Sequence, residues 1–144
     1  MSMRVVLDIN IRVSAAVTPT PGQQSRDILD QAEDHYALLL SDFMLWKLAA
    51  VLHYDRIQSK YPHLAEDAIQ TYLAKLRRMA EVVTECTTIG ETEGSRDPED
   101  NHILAAAVDG QATYLVTRNT THFPSAFRGV AIITPGDFLR RLRE

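Results

Sequence analysis

Five short runs of apolar residues, spaced along the whole chain, constrain its fold more than any other feature of the sequence. Each run is rich in Val, Ile, Leu or Tyr and is followed by polar residues, which is typical of a buried strand. The predicted strands are residues 4–7, 36–40, 81–84, 112–116 and 130–133. No repeat or linker interrupts this series, so we expect one domain over residues 1–144.

Helical segments separate these runs. Cap signals mark several of their ends, such as Ser41 before one helix and Gly110 after another. The predicted helices are residues 24–34, 42–57, 65–79, 98–109 and 137–143. Strands that alternate with helices favour a parallel sheet covered on both faces. The predicted fold class is therefore α/β, in which sites form beyond the carboxyl ends of the strands.

The composition is that of an ordinary soluble globular protein, with 45% hydrophobic and 24% charged residues. The formal net charge of −4 gives no overall basic field, so any contact with nucleic acid requires a local patch. The single cysteine, Cys86, cannot form an internal disulfide, which favours a reducing compartment. No signal-peptide pattern or membrane-length apolar run is present. We expect a cytoplasmic protein with no membrane partner.

Three carboxylates, Asp97, Glu99 and Asp100, fall in the first turn of a predicted helix. Acidic side chains are favourable there, so an N-cap at Asp97 and an acid at the third position can be explained by capping alone. Carboxylate oxygen is also the ligand that Mg²⁺ prefers. Read together with Asp8 after the first strand, the cluster favours an acidic pocket for a divalent metal.

The ends of two predicted strands carry further polar side chains. Asp8 and Asn10 come after the first strand, and Thr117 and Asn119 after the fourth. In a parallel sheet these positions share the edge where binding sites form. Asp and Asn are also common where a strand ends in an ordinary turn, which is the alternative explanation.

Lys47 lies near the apolar face of its predicted helix and has two interpretations. In the first, the aliphatic stem packs on that face while the ammonium group reaches solvent. In the second, the ammonium group reaches the carboxylate cluster and neutralises it in place of a metal ion. Arginines can bind phosphate. The candidates for phosphate contacts are Arg12, Arg96 and Arg118.

Four stretches of the sequence, taken in order, carry a family resemblance. They are residues 5–15, which include Asp8-Ile9-Asn10, and residues 96–105, 114–124 and 133–139. They resemble the opening strand, third acidic motif, fourth motif and closing strand and helix of the PIN-domain family, particularly its VapC-like toxins of bacterial toxin–antitoxin pairs. The resemblance implies a three-layer α/β/α fold. It also implies an endoribonuclease in which Mg²⁺ or Mn²⁺ activates water and stabilises charge on the scissile phosphate.

Carried over to this sequence, the resemblance makes Asp8 and Asp100 the catalytic and metal-binding acids. It assigns supporting roles to Asn10, Asp97, Thr117 and Asn119. The partners that it implies are an RNA substrate, an antitoxin protein and a second copy of the chain.

The sequence departs from the family pattern at three places. Ile9 replaces a usual threonine, Lys47 stands where the second acid aligns, and residues 119–122 hold no carboxylate at the fourth acidic position. Loss of an acid weakens metal binding, and a cation in its place repels the metal directly. Glu33 and Glu99 are the candidates to compensate.

Two hypotheses follow from these observations. The first is a metal-dependent ribonuclease of PIN type, acting as a toxin. The second is a catalytically impaired PIN fold that binds RNA or protein, with Lys47 paired to Asp8 or Asp100. Receiver and haloacid-dehalogenase folds rank lower because the aspartates they require are missing from the expected positions. A nucleotide-binding fold would need a glycine-rich loop after a strand, which this chain lacks.

Overall fold

The computed structural model describes residues 3–18, 23–87, 89 and 100–144. Six strands form one sheet in the order β3-β2-β1-β4-β6-β5. Their bounds are β1 (Met3–Leu7), β2 (Tyr36–Leu40), β3 (Glu81–Val82), β4 (Tyr114–Val116), β5 (Ala126–Phe127) and β6 (Val130–Ile133). All neighbours are parallel except β5 and β6, which pair antiparallel. The five predicted strands are confirmed, and the two-residue β5 is added at the edge.

Seven helices flank the sheet in the described part of the chain. They are α1 (Ile9–Val17), α2 (Gln24–Asp30), α3 (Asp42–Leu52), α4 (Asp55–Lys60), α5 (Glu66–Met79), α6 (Asn101–Asp109) and α7 (Pro135–Arg143). Two caps predicted from the sequence are present, since Ser41 Oγ accepts from the Met44 amide and Gly110 ends α6. None of these helices is long and apolar enough to cross a membrane.

The central strands are buried on both sides, as a three-layer arrangement requires. In β1 the consecutive residues Val5, Val6 and Leu7 are fully buried, and residues 38–40 of β2 are too. Successive side chains of a strand point to opposite faces, so a run of buried residues means that both faces are covered. Helix α6 packs against β1, β2 and β4. The α/β/α prediction is therefore confirmed.

The predicted helices differ from the structure in number and in bounds, and the last one begins at Pro135 and not at residue 137. Helix α1 was not predicted, because we interpreted Asp8 and Asn10 as strand-end residues; instead Asp8 caps a helix that begins at Ile9. The predicted helix 42–57 is two helices, α3 and α4, separated by a turn at His53. The helix predicted to end at residue 34 ends at Asp30.

Gly110 allows the close approach of α6 to the sheet. A Cβ atom built at Gly110 would lie 2.8 Å from Cδ1 of Leu39 and 3.0 Å from Cγ2 of Val83. Both contacts are shorter than ordinary carbon–carbon packing distances. A side chain here would therefore require Leu39, Val83 or the C-terminal end of α6 to shift.

Candidate functional site

A cavity of about 480 Å³ lies beyond the carboxyl ends of the strands. Asp8 reaches it from the end of β1, and Asn119 and His122 from the loop after β4. Asp100 contributes from the start of α6. On the opposite side the lining comes mainly from α3, α4 and the turn between them, through Phe43, Lys47, Val51, Tyr54, Arg56 and Ile57. The cavity occupies the place that the strand order predicts for a site.

Asp8 is held rigidly at this edge and is only 2% exposed. Its Oδ1 accepts a hydrogen bond from the Ile9 amide at 2.7 Å, and its Oδ2 accepts one from the Thr117 hydroxyl at 2.7 Å. The Asp8 amide continues the sheet ladder by donating to the Val116 carbonyl. Each carboxylate oxygen keeps a further lone pair, so Asp8 can still accept a hydrogen bond or hold a cation from the cavity side.

Thr117 and Asn119 form the second part of this rigid edge. Thr117 is fully buried, and its hydroxyl donates to Asp8 while accepting from the Asn119 amide at 3.0 Å. Thr117 therefore orients Asp8 without itself lining the cavity, while Asn119 lines it. Asn10, in the first turn of α1, also lines it. The structure brings these three predicted residues to Asp8.

Arg12 lies beneath the cavity and not on the surface, contrary to our interpretation of it as a phosphate contact. It is 1% exposed, its Nε donates to the Leu7 carbonyl at 3.0 Å, and one terminal nitrogen donates to the Met44 carbonyl at 3.1 Å. Burial lowers the pKa of Arg12 to about 10, opposed by the nearby Asp8 carboxylate. Arg12 is thus still a cation at neutral pH and compensates the buried charge of Asp8.

Asp100 and Lys47 face the same cavity from α6 and α3. Lys47 is half-buried and lines the cavity, which fits both of our interpretations of it. Within the described ranges, no three His, Cys, Asp or Glu side chains lie close enough to form a metal site. The Lys, Arg, Asp and Glu residues of the lining there are three cations, Arg12, Lys47 and Arg56, and two carboxylates, Asp8 and Asp100.

Of the remaining predicted residues, three fall outside the described residues, and Glu33 and Arg118 do not line the cavity. Asp97 and Arg96, and the compensating candidate Glu99, fall outside the described residues. Glu33 does not line the cavity, because it precedes β2 and so lies at the amino edge of the sheet. Arg118 is exposed, and its guanidinium donates to the hydroxyls of Ser14 and Ser25.

Sequence reasoning missed three residues that line the cavity, namely Phe43, Tyr54 and Arg56. The Arg56 guanidinium lies 5.5 Å from the centre of the Tyr54 ring, a cation–π distance. Tyr54 and Arg56 face the cavity because the chain turns at His53, which separates α3 from α4. Their only signal in the sequence was an aromatic and a cation near the end of a predicted helix, which is too common to identify a site.

The fold and the cavity together define an α/β protein with paired carboxylates at the carboxyl edge of its sheet. A family model described as PIN domain matches residues 4–121, and the chain belongs to that family. The structure resembles VapBC2 from Rickettsia felis bound to a DNA fragment from their promoter, with 16% identity, a TM-score of 0.57, and coverage of 92% of this chain and 98% of that one. It also resembles FitAcB from Neisseria gonorrhoeae, with 20% identity, a TM-score of 0.54 and the same coverage. No curated protein matches the chain by sequence.

Proposed function

We propose that this protein is a metal-dependent endoribonuclease of PIN type that acts as the toxin of a toxin–antitoxin pair. The observation that carries the proposal is the meeting of Asp8 and Asp100 in one cavity at the carboxyl edge of the sheet. Membership of the PIN family supports it. RNA is the proposed substrate, and Mg²⁺ or Mn²⁺ the proposed cofactor.

The donor chemistry suits a hard divalent cation. Asp8 and Asp100 offer carboxylate oxygens, and Asn10 and Asn119 offer carboxamide oxygens, which are the donor types that Mg²⁺ and Mn²⁺ accept. A bound metal would lower the pKa of a water molecule and neutralise charge on the scissile phosphate. The protein's own part is to hold Asp8 in place through Thr117 and the Ile9 amide, so that little reorganisation is needed.

Lys47 is the specific observation that favours a second candidate, a catalytically impaired PIN fold that binds RNA or protein. A cation in the cavity repels a metal ion and, in its absence, can balance the carboxylates. The excess of cations over carboxylates among the described lining residues supports this candidate too. The two candidates share the fold and differ in whether the carboxylates hold metal or ion-pair with Lys47.

Calorimetric titration with Mn²⁺ and Mg²⁺ separates the two candidates. We would compare the unmodified protein with Asp100→Ala and Lys47→Glu. Binding to the unmodified protein that is lost in Asp100→Ala would support the nuclease and justify an RNA cleavage assay with the same metals. Failure to bind, together with binding by Lys47→Glu, would show that Lys47 disables the metal site and would support the second candidate.

The proposed partner is an antitoxin protein, and a homodimer is the proposed assembly, with the cytoplasm as the proposed location. Growth arrest on expression, relieved by co-expression of a protein encoded beside this chain, would support the toxin assignment. Light scattering on the purified protein tests the dimer, and cell fractionation tests the location. An absence of growth arrest from a protein that cleaves RNA would contradict the toxin role alone.

A further inference from the structure

Three aromatic rings from α3 and α6 form a cluster at the edge of the candidate site. The Phe43 and His102 rings stack with their centres 3.7 Å apart and their planes at 17°. The Trp46 ring packs against Phe43 with the centres 5.8 Å apart. Phe43 itself lines the cavity, so the cluster and the cavity are continuous. We call Phe43, Trp46 and His102 the aromatic cluster.

The aromatic cluster is held in place at His102 and exposed to solvent at Trp46. Oε1 of Glu85 lies 3.0 Å from Nδ1 of His102, which holds the imidazole ring against Phe43. Trp46 is 65% exposed, more than Tyr54 or Val82, the two other large hydrophobic side chains that stand exposed in the described residues. An aromatic ring that packs against other fixed rings and leaves most of its surface in solvent can stack with another flat ring.

Charge beside the cluster complements a phosphate chain. Lys47 follows Trp46 on α3, and Arg56 lies beyond it on α4; both line the cavity. Although the whole chain carries a net charge of −4, the described lining has more cations than carboxylates. Proteins bind single-stranded nucleic acid by combining such cations along the backbone with aromatic rings that stack on the bases.

A nucleobase fits the cluster better than a protein partner does. A stable protein interface buries a broad surface, on the order of 800 Å² on each side, and charged residues are depleted at its centre. Trp46 has no such surroundings, since its neighbours on the exposed side of α3 include Asp42, which pairs with Arg77, and Lys47. One exposed indole among charged side chains is the size of a base and not of an interface.

We propose that Trp46, supported by Phe43 and His102, is a stacking platform for an unpaired base of single-stranded RNA whose adjacent phosphate enters the cavity. The proposal deepens the proposed function, because it specifies an unpaired segment as substrate and rests on RNA being the ligand. Trp46 is a positioning residue here, since it holds the strand and does not touch the reacting phosphate.

The chain has one tryptophan, so its fluorescence reports on the platform directly. The probe is a single-stranded 2′-O-methyl oligoadenylate, titrated in EDTA so that binding is measured apart from metal-dependent cleavage. We expect saturable quenching of Trp46 by this strand, and none by an abasic strand of the same length or by the duplex with oligouridylate.

Affinity measured by fluorescence anisotropy of a labelled strand tests the same platform in variants. Trp46→Ala is expected to weaken binding roughly 5- to 150-fold, the loss of one stacked base, while Trp46→Phe retains most of the affinity. The matched control is Val82→Ala, which removes an exposed apolar side chain that does not line the cavity and should bind as the unmodified protein does. Trp46 is an exposed residue, so its replacement should leave the fold intact.

The experiments give different results when the stacking proposal is wrong and when the nuclease proposal is wrong. If Trp46→Ala and the unmodified protein bind the oligoadenylate equally, or if the abasic strand binds as tightly, the platform is overturned and Trp46 belongs to a protein interface. Cleavage of RNA in Mg²⁺ or Mn²⁺ by both proteins with equal KM would overturn it in the same way and leave the nuclease standing. Base-dependent quenching by a protein that cleaves no RNA supports the platform and contradicts the nuclease.

Discussion

The two sides of the cavity are built in contrasting ways. One side is supported by what we call the floor, which consists of Asp8, Arg12 and Thr117, each buried and hydrogen-bonded to backbone or to one another. The other, which we call the wall, consists of Lys47, Tyr54 and Arg56, and these side chains are half-buried or exposed. The floor is therefore part of the core, whereas the wall can change without unfolding the protein. Chemistry that needs a fixed carboxylate belongs on the floor, and recognition belongs on the wall.

Replacing Arg12 should produce the largest effect on stability. Arg12→Met removes the donors to the Leu7 and Met44 carbonyls and leaves the buried Asp8 charge uncompensated. Breaking a buried ionic group in this way costs about 3–5 kcal/mol. Urea unfolding measures the change. Arg118→Met is the matched control: it removes an exposed arginine, for which we expect at most about 1 kcal/mol. Equal losses in the two variants would show that Arg12 supports the fold no more than an exposed arginine does and would contradict its place in the floor.

Thr117→Val should produce the next largest effect. The substitution keeps the shape of the side chain but removes the hydroxyl that donates to Asp8 and accepts from the Asn119 amide. Leaving these buried partners unsatisfied costs about 1–3 kcal/mol. We also expect metal affinity or RNA cleavage, where present, to fall because Asp8 is no longer oriented. Thr117→Ser restores the hydroxyl and should recover most of both; a serine variant as impaired as the valine variant would show that packing and not the hydrogen bond matters.

The same contrast explains how much of the molecule could be predicted from the sequence. The strands were predictable because their residues are buried on both faces, so the apolar runs are continuous. The helix ends at Ser41 and Gly110 were predictable because capping depends on the residue type at that position, which can be read directly from the sequence. The convergence of Asp8 and Asn119 was predictable because parallel strands direct their carboxyl ends to one edge. Asp100 joins them from the start of α6, a position that we predicted could face the same edge.

What could not be predicted depends on contacts between distant residues. The burial of Arg12 requires the Met44 carbonyl from another helix, although its place between Ile11 and Val13 in an apolar segment was a signal. Tyr54 and Arg56 face the cavity only because the chain turns at His53. An arginine and a tyrosine are ordinary surface residues in a sequence, and only the fold assigns them a position.

A wall residue should tolerate replacement that a floor residue does not. Lys47→Gln removes the charge from a half-buried side chain, so we expect a change within about 0.5 kcal/mol in the free energy of unfolding. Affinity for Mn²⁺ should nevertheless rise, because a repelling cation is gone. Urea unfolding and calorimetry on the same preparation measure both. A loss of several kcal/mol would place Lys47 on the floor, as part of a buried ion pair.

The smallest expected effect concerns His53, which links the end of α3 to the start of α5. We call His53 and its partner Glu66 the anchor of the wall. Nδ1 of His53 lies 2.6 Å from the Ala49 carbonyl oxygen, and Nε2 lies 2.5 Å from Oε2 of Glu66. Because both ring nitrogens face acceptors, the imidazolium form is favoured, and the hydrogen bonds to Ala49 and Glu66 raise the pKa of His53. The pKa of Glu66 is lowered mainly by its hydrogen bond with His53 and to a smaller extent by its hydrogen bond with Gln70.

These two directions fix the pH dependence of the anchor. The His53 contribution is complete below its ordinary pKa of 6.5 and is lost as the pH rises through the higher pKa of the folded state. The Glu66 contribution is present above its ordinary pKa of 4.5 and is lost as the pH falls through its lowered value. We therefore expect the Tm of His53→Leu to differ most from that of the unmodified protein at pH values between 4.5 and 6.5, the ordinary pKa values of Glu66 and His53. The difference should narrow toward alkaline pH, with His63→Leu as the exposed-histidine control. A difference that is constant with pH would mean that His53 anchors the wall by packing and not by charge.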